Sequence, residues 1–121
     1  MATTKAVTAM ESGLTLTAGA GDDTGTAVTL DDGYGAQISL KITNGATGPT
    51  IAAQIQIQVS QDNTEYYDYG GPLVGSTTNS AVSSWSVEVP IGVEYIKTVQ
   101  GSNTGQNVTV DIDLSEVTAV A

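Results

Sequence analysis

The chain has 121 residues, enough for one domain whose core needs neither metals nor disulfides. It contains no Cys, His, Arg or Phe, and 13 acidic residues outweigh Lys5, Lys41 and Lys97 to give a formal net charge of −10. These absences exclude a disulfide framework, a thiolate nucleophile, a Ser-His or imidazole–metal site and a bidentate phosphate clamp.

The charge also narrows the partners. Nucleic acid and anionic membrane surfaces repel such a chain, so neither is expected to bind it. The longest apolar run is only a few residues, too short to cross a bilayer. The start, MATTKAVTAMESG, lacks the hydrophobic stretch of a signal peptide. The protein is therefore expected in a cytoplasm, or outside the cell in an assembled form. The acid excess reads as solvated surface charge, with docking onto a basic partner or Ca²⁺ binding as the functional alternatives.

Along the chain, TTKAVTAMES places Ala6, Val7 and Met10 at helical spacing, but its threonines favour extended backbone. Residues 1–12 are read as an N-terminal arm or edge strand, followed by a domain over 13–121. From there short alternating runs recur between Gly, Asn, Asp and Ser clusters, the pattern of an all-β protein. Leu14 and Leu16 alternate, then Val28 and Leu30, with DDGYG marking a tight reversal between residues 30 and 36. AQISLKIT sets Ala36, Ile38, Leu40 and Ile42 on one face, and TIAAQIQIQVS does the same with Ile51, Ala53, Ile55, Ile57 and Val59. NGATGP between those two runs reads as a hairpin loop.

Further on, QDNTE and GSNTGQ are turn tips, and Pro90 ends the run of Trp85, Val87 and Val89. VEYIKTVQ puts Val93, Tyr95 and Val99 on one side and Ile96 on the other, and Val108, Val110, Ile112 and Leu114 align in the last run. About eight such strands predict an antiparallel two-sheet β-sandwich, of jelly-roll or immunoglobulin-like type.

Two features bear on function. Gln54, Gln56 and Gln58 fill the polar face of one strand with neutral amides. That row is either a plain wet face or a subunit contact made without desolvating charge. In YYDYGG, Tyr66 and Tyr67 point to opposite faces and Tyr69 shares the Tyr67 face. With no Phe present, Trp85 and some tyrosines are needed in the core, so at most two rings form an exposed pair. Asp22-Asp23 and Asp31-Asp32 flank a short strand, Asp62 and Glu65 share a tip, and Asp111 and Asp113 share a face. None of these makes a D-x-[DN]-x-[DN]-G loop or a carboxylate pair in an aromatic cleft. No enzyme activity, cofactor or metal is expected.

VSQDNTEYYDYG resembles a V-S-x-D-[GN]-x-x-[WY] hairpin of small β-sandwich proteins of tailed bacteriophages, at Val59, Ser60, Asp62, Asn63 and Tyr66. VEVPIGVEYIKTVQGSNTGQNVTVDIDL resembles their closing half, at Val89, Pro90, Tyr95, Ile96, Lys97, Gly101, Thr104, Gly105 and residues 108–114, and KITNGATGPT also fits. The likeness covers roughly residues 36 to 114 and consists mainly of fold chemistry. It implies a virion structural protein made in a host bacterial cytoplasm, such as a capsid decoration (cement) protein that binds the major capsid protein as a homotrimer.

Expected contacts under that resemblance are Thr3, Thr4, Lys5 and Val7 of the arm, by strand addition, then Gln54, Gln56, Gln58, Tyr67 and Tyr69. The alternatives are a carbohydrate- or receptor-binding module of a tail or fibre, using Tyr67, Tyr69 and Ca²⁺ at the acidic loops, and a tail-tube or head–tail connector component.

Overall fold

A computed structural model describes residues 3–30 and 35–120, with side chains over 5–30 and 35–118. Ten strands follow one another: β1 (Thr3–Leu16), β2 (Asp23–Thr24), β3 (Val28–Thr29), β4 (Ala36–Asn44), β5 (Gln54–Ser60), β6 (Tyr67–Asp68), β7 (Leu73–Val74), β8 (Val82–Val89), β9 (Tyr95–Gly101) and β10 (Val108–Val120). One sheet has the order β1-β10-β4-β8. The other runs β2-β9-β5-β6, with β3 also on β9 and β7 also on β5. Every pairing is antiparallel.

Connectivity follows a simple rule if β2 with β3, and β6 with β7, each count as one broken strand. Consecutive strands of the resulting eight alternate between the two sheets except at the fourth and fifth, and the first lies beside the last. The fourth, β5, pairs with the fifth, β6 with β7. This is an antiparallel ribbon rolled into two sheets, the jelly roll. The immunoglobulin-like alternative is thereby set aside, and all-β sandwich architecture is realised as expected.

The NGATGP hairpin expectation is corrected by this topology. β4 and β5 lie in different sheets and residues 45–53 cross between them. Alternation reports only that a strand has one oily face, and that face is satisfied equally by pairing with a neighbour or by facing it across the core. The 51–59 run is also shorter than expected. Ile51 is exposed and forms an isolated bridge with Thr104, and the strand begins at Gln54.

β4 shows the alternation most fully. Ala36, Ile38, Leu40 and Ile42 are buried while Gln37, Ser39 and Lys41 are exposed. Across the sandwich these meet Ile55, Ile57 and Ile96, and Val110, Ile112 and Leu114 complete the first sheet's inner face. Full burial of each Ile or Leu contributes about 1.5–3 kcal/mol. Trp85 and Tyr69 pack against this core, meeting the need left by the absence of Phe.

Of the two readings of the N-terminal segment, arm or edge strand, the structure shows an edge strand. β1 pairs with β10 of its own chain from Thr3↔Val120 to Leu16↔Val108, so strand structure runs without a break through residue 12. The pairing is irregular, with register shifts between Thr4/Lys5, Ala9/Glu11 and Glu11/Leu14. Pairing of β10 with β4 ends at Glu116↔Ala36, followed by one bond from Val117 N to Gly35 O. Beyond it β1 and β10 continue as a two-stranded ribbon that no third strand joins among the described residues. A bulged strand with exposed side chains reads as an arm in sequence because its apolar period is broken. Residues 31–34, which carry the expected DDGYG reversal and Asp31-Asp32, lie outside the described residues.

Candidate interaction surfaces

The outer face of the second sheet is built by β5 and β9. Register places Gln56 opposite Val99, and Gln58 opposite Lys97 on one side and Asp68 on the other. The glutamines do not form an amide ladder with one another. Gln54 Nε2 donates to Ser102 Oγ at 3.4 Å, Gln56 Nε2 to the carbonyls of Ile57 at 2.9 Å and Gly70 at 3.1 Å, and Gln58 Nε2 to Asp68 Oδ1 at 3.1 Å. All three are half-buried, so this face is a fixed polar surface rather than a freely solvated one.

The tyrosines do not form an exposed Tyr67–Tyr69 pair. Tyr69 packs on the core and donates its hydroxyl to Glu88 O at 2.9 Å, across the sandwich. Tyr67 lies opposite Val59 at the sheet's edge and is exposed. Tyr66, half-buried, lies under Lys97, whose Nζ sits 3.9 Å from the ring centroid. Its hydroxyl donates to Asn63 Oδ1. Partial burial, with Tyr95 and Asp62 nearby, raises the Tyr66 phenol above its ordinary pKa. The aromatic element of this face is therefore Tyr66 with Lys97, beside Tyr95. Sequence reading passed over it because Lys97 and Tyr66 are distant in the chain and meet only when β5 joins β9 to β6.

The tip at residues 61–65 has the expected turn chemistry. Asp62 Oδ1 accepts the N–H groups of Thr64 and Glu65, both at 2.9 Å, and Ser60 Oγ accepts that of Asn63 at 3.0 Å. Asn63 takes a left-handed φ of 61°. The Glu65 and Thr64 N–H groups hold the Asp62 carboxyl below the usual aspartate range.

On the ribbon Lys5 pairs with Val117, and next to it Val7 pairs with Ser115 where β4 still adjoins β10. Lys5 is exposed and Val7 is 72% exposed, one of the most open apolar side chains. Thr3 and Thr4 pair with Val120 and Ala119. Beside the ribbon a groove of about 270 Å³ is lined by Lys5, Gln37, Glu88, Ile91 and Val117. Ile91 is 76% exposed there. The expected contact residues thus fall on two separate surfaces. Lys5 lies on the ribbon and Val7 on β1 next to it, while the glutamines lie on the outer face of the other sheet.

Of the acid pairs, Asp111 sits 4.0 Å from Lys41 on the outer face of the first sheet and accepts Gly13 N–H at 2.8 Å. Among the described residues no three acid side chains converge into a metal-holding group. A polar group the sequence did not point to lies on the inner face of β9, where Ile96, Thr98 and Gln100 are buried and Tyr95, Lys97 and Val99 face out. Gln100 Nε2 donates to Asp23 Oδ2 at 2.8 Å and to Glu11 Oε1 at 3.5 Å. Partial burial, then Asp23, raises the Glu11 carboxyl above its ordinary pKa, against the pull of Gln100. Alternation hid this group, because two polar residues beside Ile96 read as a wet face.

No family model matches the sequence, and no curated protein matches it. Solved structures match in fold. An infectious bursal disease virus structure (Gx strain) aligns with TM-score 0.60 at 8% identity over 93% of this chain, which spans 31% of that one. The SPBc2 prophage-derived protein YomS aligns with TM-score 0.55 at 15% identity over 96% of both chains. Family 16 Carbohydrate Binding Module-2 aligns with TM-score 0.54 at 13% identity, over 84% of this chain and 74% of that one. At these identities the likeness is one of fold: the chain is a jelly-roll sandwich of a kind found in a virus particle, a prophage-derived protein and a carbohydrate-binding module.

Proposed function

We propose that this protein is a structural component of a tailed-phage virion that decorates the capsid shell as a homotrimer, without enzymatic activity. The observation that carries the reading is the β1/β10 ribbon. It extends past β4 and presents Lys5, Val7 lies just inside it where β4 still pairs with β10, and the outer edge of β1 is left without a partner strand among the described residues. An open edge with exposed apolar side chains is a template for strand addition by a capsid subunit or a second copy. The full-length match in fold to a prophage-derived protein and the match to a virus structure support the same class. Native mass spectrometry and co-sedimentation with capsids test it. Oligomers that pellet with shells are expected, and a monomer that stays in the supernatant with shells present sinks the proposal.

A carbohydrate-binding reading is favoured by one specific observation, the outer face carrying Tyr66, Lys97, Tyr95 and Gln58. An aromatic flanked by amides and charges suits a sugar ring, and the fold matches a carbohydrate-binding module. A glycan array separates the two, since decoration predicts no glycan signal.

A further inference from the structure

We propose that the seam between β1 and β2 is a Ca²⁺ site whose ligands are Glu11, Asp23 and the Thr98 hydroxyl, with Gln100 holding the carboxylates. Four independent features converge there. Register shifts on both sides of Glu11 mark bulges, the device by which a strand re-aims one side chain. Gly25 lies opposite Thr98, its N–H donating to Thr98 O at 2.8 Å. A Cβ on Gly25 would sit 3.3 Å from both Glu11 Oε1 and Thr98 Oγ1, so the glycine keeps open a space onto which both oxygens face. Thr98 is fully buried and Gln100 is 1% exposed, and Thr98 Oγ1 and Gln100 Oε1 have no hydrogen-bond partner.

Orphaned buried oxygens are uncommon and call for an unseen partner. Here the partner must also suit two carboxylates close enough to share one amide donor. No lysine does so among the described residues: Lys41 is beside Asp111, Lys97 is over Tyr66, and Lys5 pairs far along the ribbon. A hard cation that accepts carboxylate, hydroxyl and water oxygens in irregular number is Ca²⁺, whereas Mg²⁺ demands near-ideal octahedral geometry. Asp23 is exposed, so water reaches the site and completes the shell. Hydrogen bonds from Gln100 orient the ligating carboxylates, as second-shell donors do in metal sites. Two carboxylates and a hydroxyl place the affinity in the weak class, with Kd of roughly 10⁻⁴–10⁻³ M.

The test is calorimetric titration of the chelator-treated full chain with calcium chloride, with thermal melts in calcium and in EDTA. One saturable site and a higher Tm in calcium are expected. Glu11→Gln should weaken binding by roughly tenfold or more. Thr98→Val should also weaken it, and in EDTA should melt no lower than the parent because it removes an unsatisfied buried hydroxyl. Asp111→Asn, on the outer face, should bind like the parent. Absence of a calcium-dependent Tm shift overturns the proposal. So does unchanged affinity in Thr98→Val, which would assign the calcium to general surface acidity and the seam to a buried water. Thr98→Val carries the test if Glu11→Gln does not fold.

Discussion

The phenol of Tyr69 donates its hydrogen to the main-chain carbonyl of Glu88 at 2.9 Å, and so joins the edge of one sheet to the edge of the other. Tyr69 follows β6, its own N–H bonded to Ile57 O at 2.8 Å, while Glu88 lies in β8. One side chain thereby closes one flank of the sandwich and takes up an acceptor on β8. Tyr69→Phe keeps the packing and loses this bond. It should cost about 1 kcal/mol in urea unfolding, with an unchanged m-value. No loss of stability would mean that water replaces the hydroxyl without penalty.

Asp62 is the clearest pH-sensitive contributor. Backbone N–H bonds depress its folded pKa below the unfolded value. A group of that kind stabilises the fold above its unfolded pKa, and the contribution is lost as pH falls through the folded value. Asp62→Ala should therefore lower Tm at neutral pH, and the gap to the parent should narrow as pH drops through the acidic aspartate range. A gap independent of pH would show that the turn depends on the shape of residue 62 and not on its charge.

Gly48 is constrained by close approach. Its N–H donates to Asn79 Oδ1 at 2.8 Å, and a Cβ would lie 2.1 Å from Thr77 O. The loops at 45–50 and 76–80 touch there through backbone, which cannot step aside as a flexible side chain can. Gly48→Ala should cost about 1–3 kcal/mol. Gly45→Ala, where a Cβ meets nothing within 4 Å, should cost far less.

The ribbon gives a test of assembly that spares the fold. Removing residues 1–12 would strip most of β1 from β10, so truncation cannot separate folding from binding. Val7→Glu puts charge on a side chain that is already 72% exposed and should leave the unfolding free energy within about 0.5 kcal/mol of the parent. It should release the protein from capsids in co-sedimentation. Undiminished capsid binding would move the contact elsewhere, the glutamine face being the next surface to test.

Sandwich class was legible because β4, β8 and β10 alternate cleanly, Ile38, Leu40 and Ile42 falling on one face and Gln37, Ser39 and Lys41 on the other. Strand order was not legible. Residues 36–43 and 54–60 carry the same oily-face signal, and nothing local says whether the loop between them folds back in plane or crosses over. The candidate surfaces were legible only in part. The Gln54, Gln56, Gln58 row was visible as a pattern, whereas the Tyr66–Lys97 stack and the Glu11–Gln100–Asp23 group each unite residues remote in sequence. Glu11 was further obscured by its bulges, which break the period from which burial is read.

Pairing the first strand with the last has a kinetic consequence. Thr3 meets Val120 only after β2 to β9 have been made, and strands from early and late in the sequence alternate within both sheets. The second sheet is complete only once β9 has emerged and the first only once β10 has, so folding on the ribosome cannot advance strand by strand. Such non-local topologies fold in milliseconds to seconds rather than microseconds. Until β10 emerges, Ile38, Leu40 and Ile42 of β4 lack the neighbour that completes their sheet, and chaperone capture or misassembly competes in that interval.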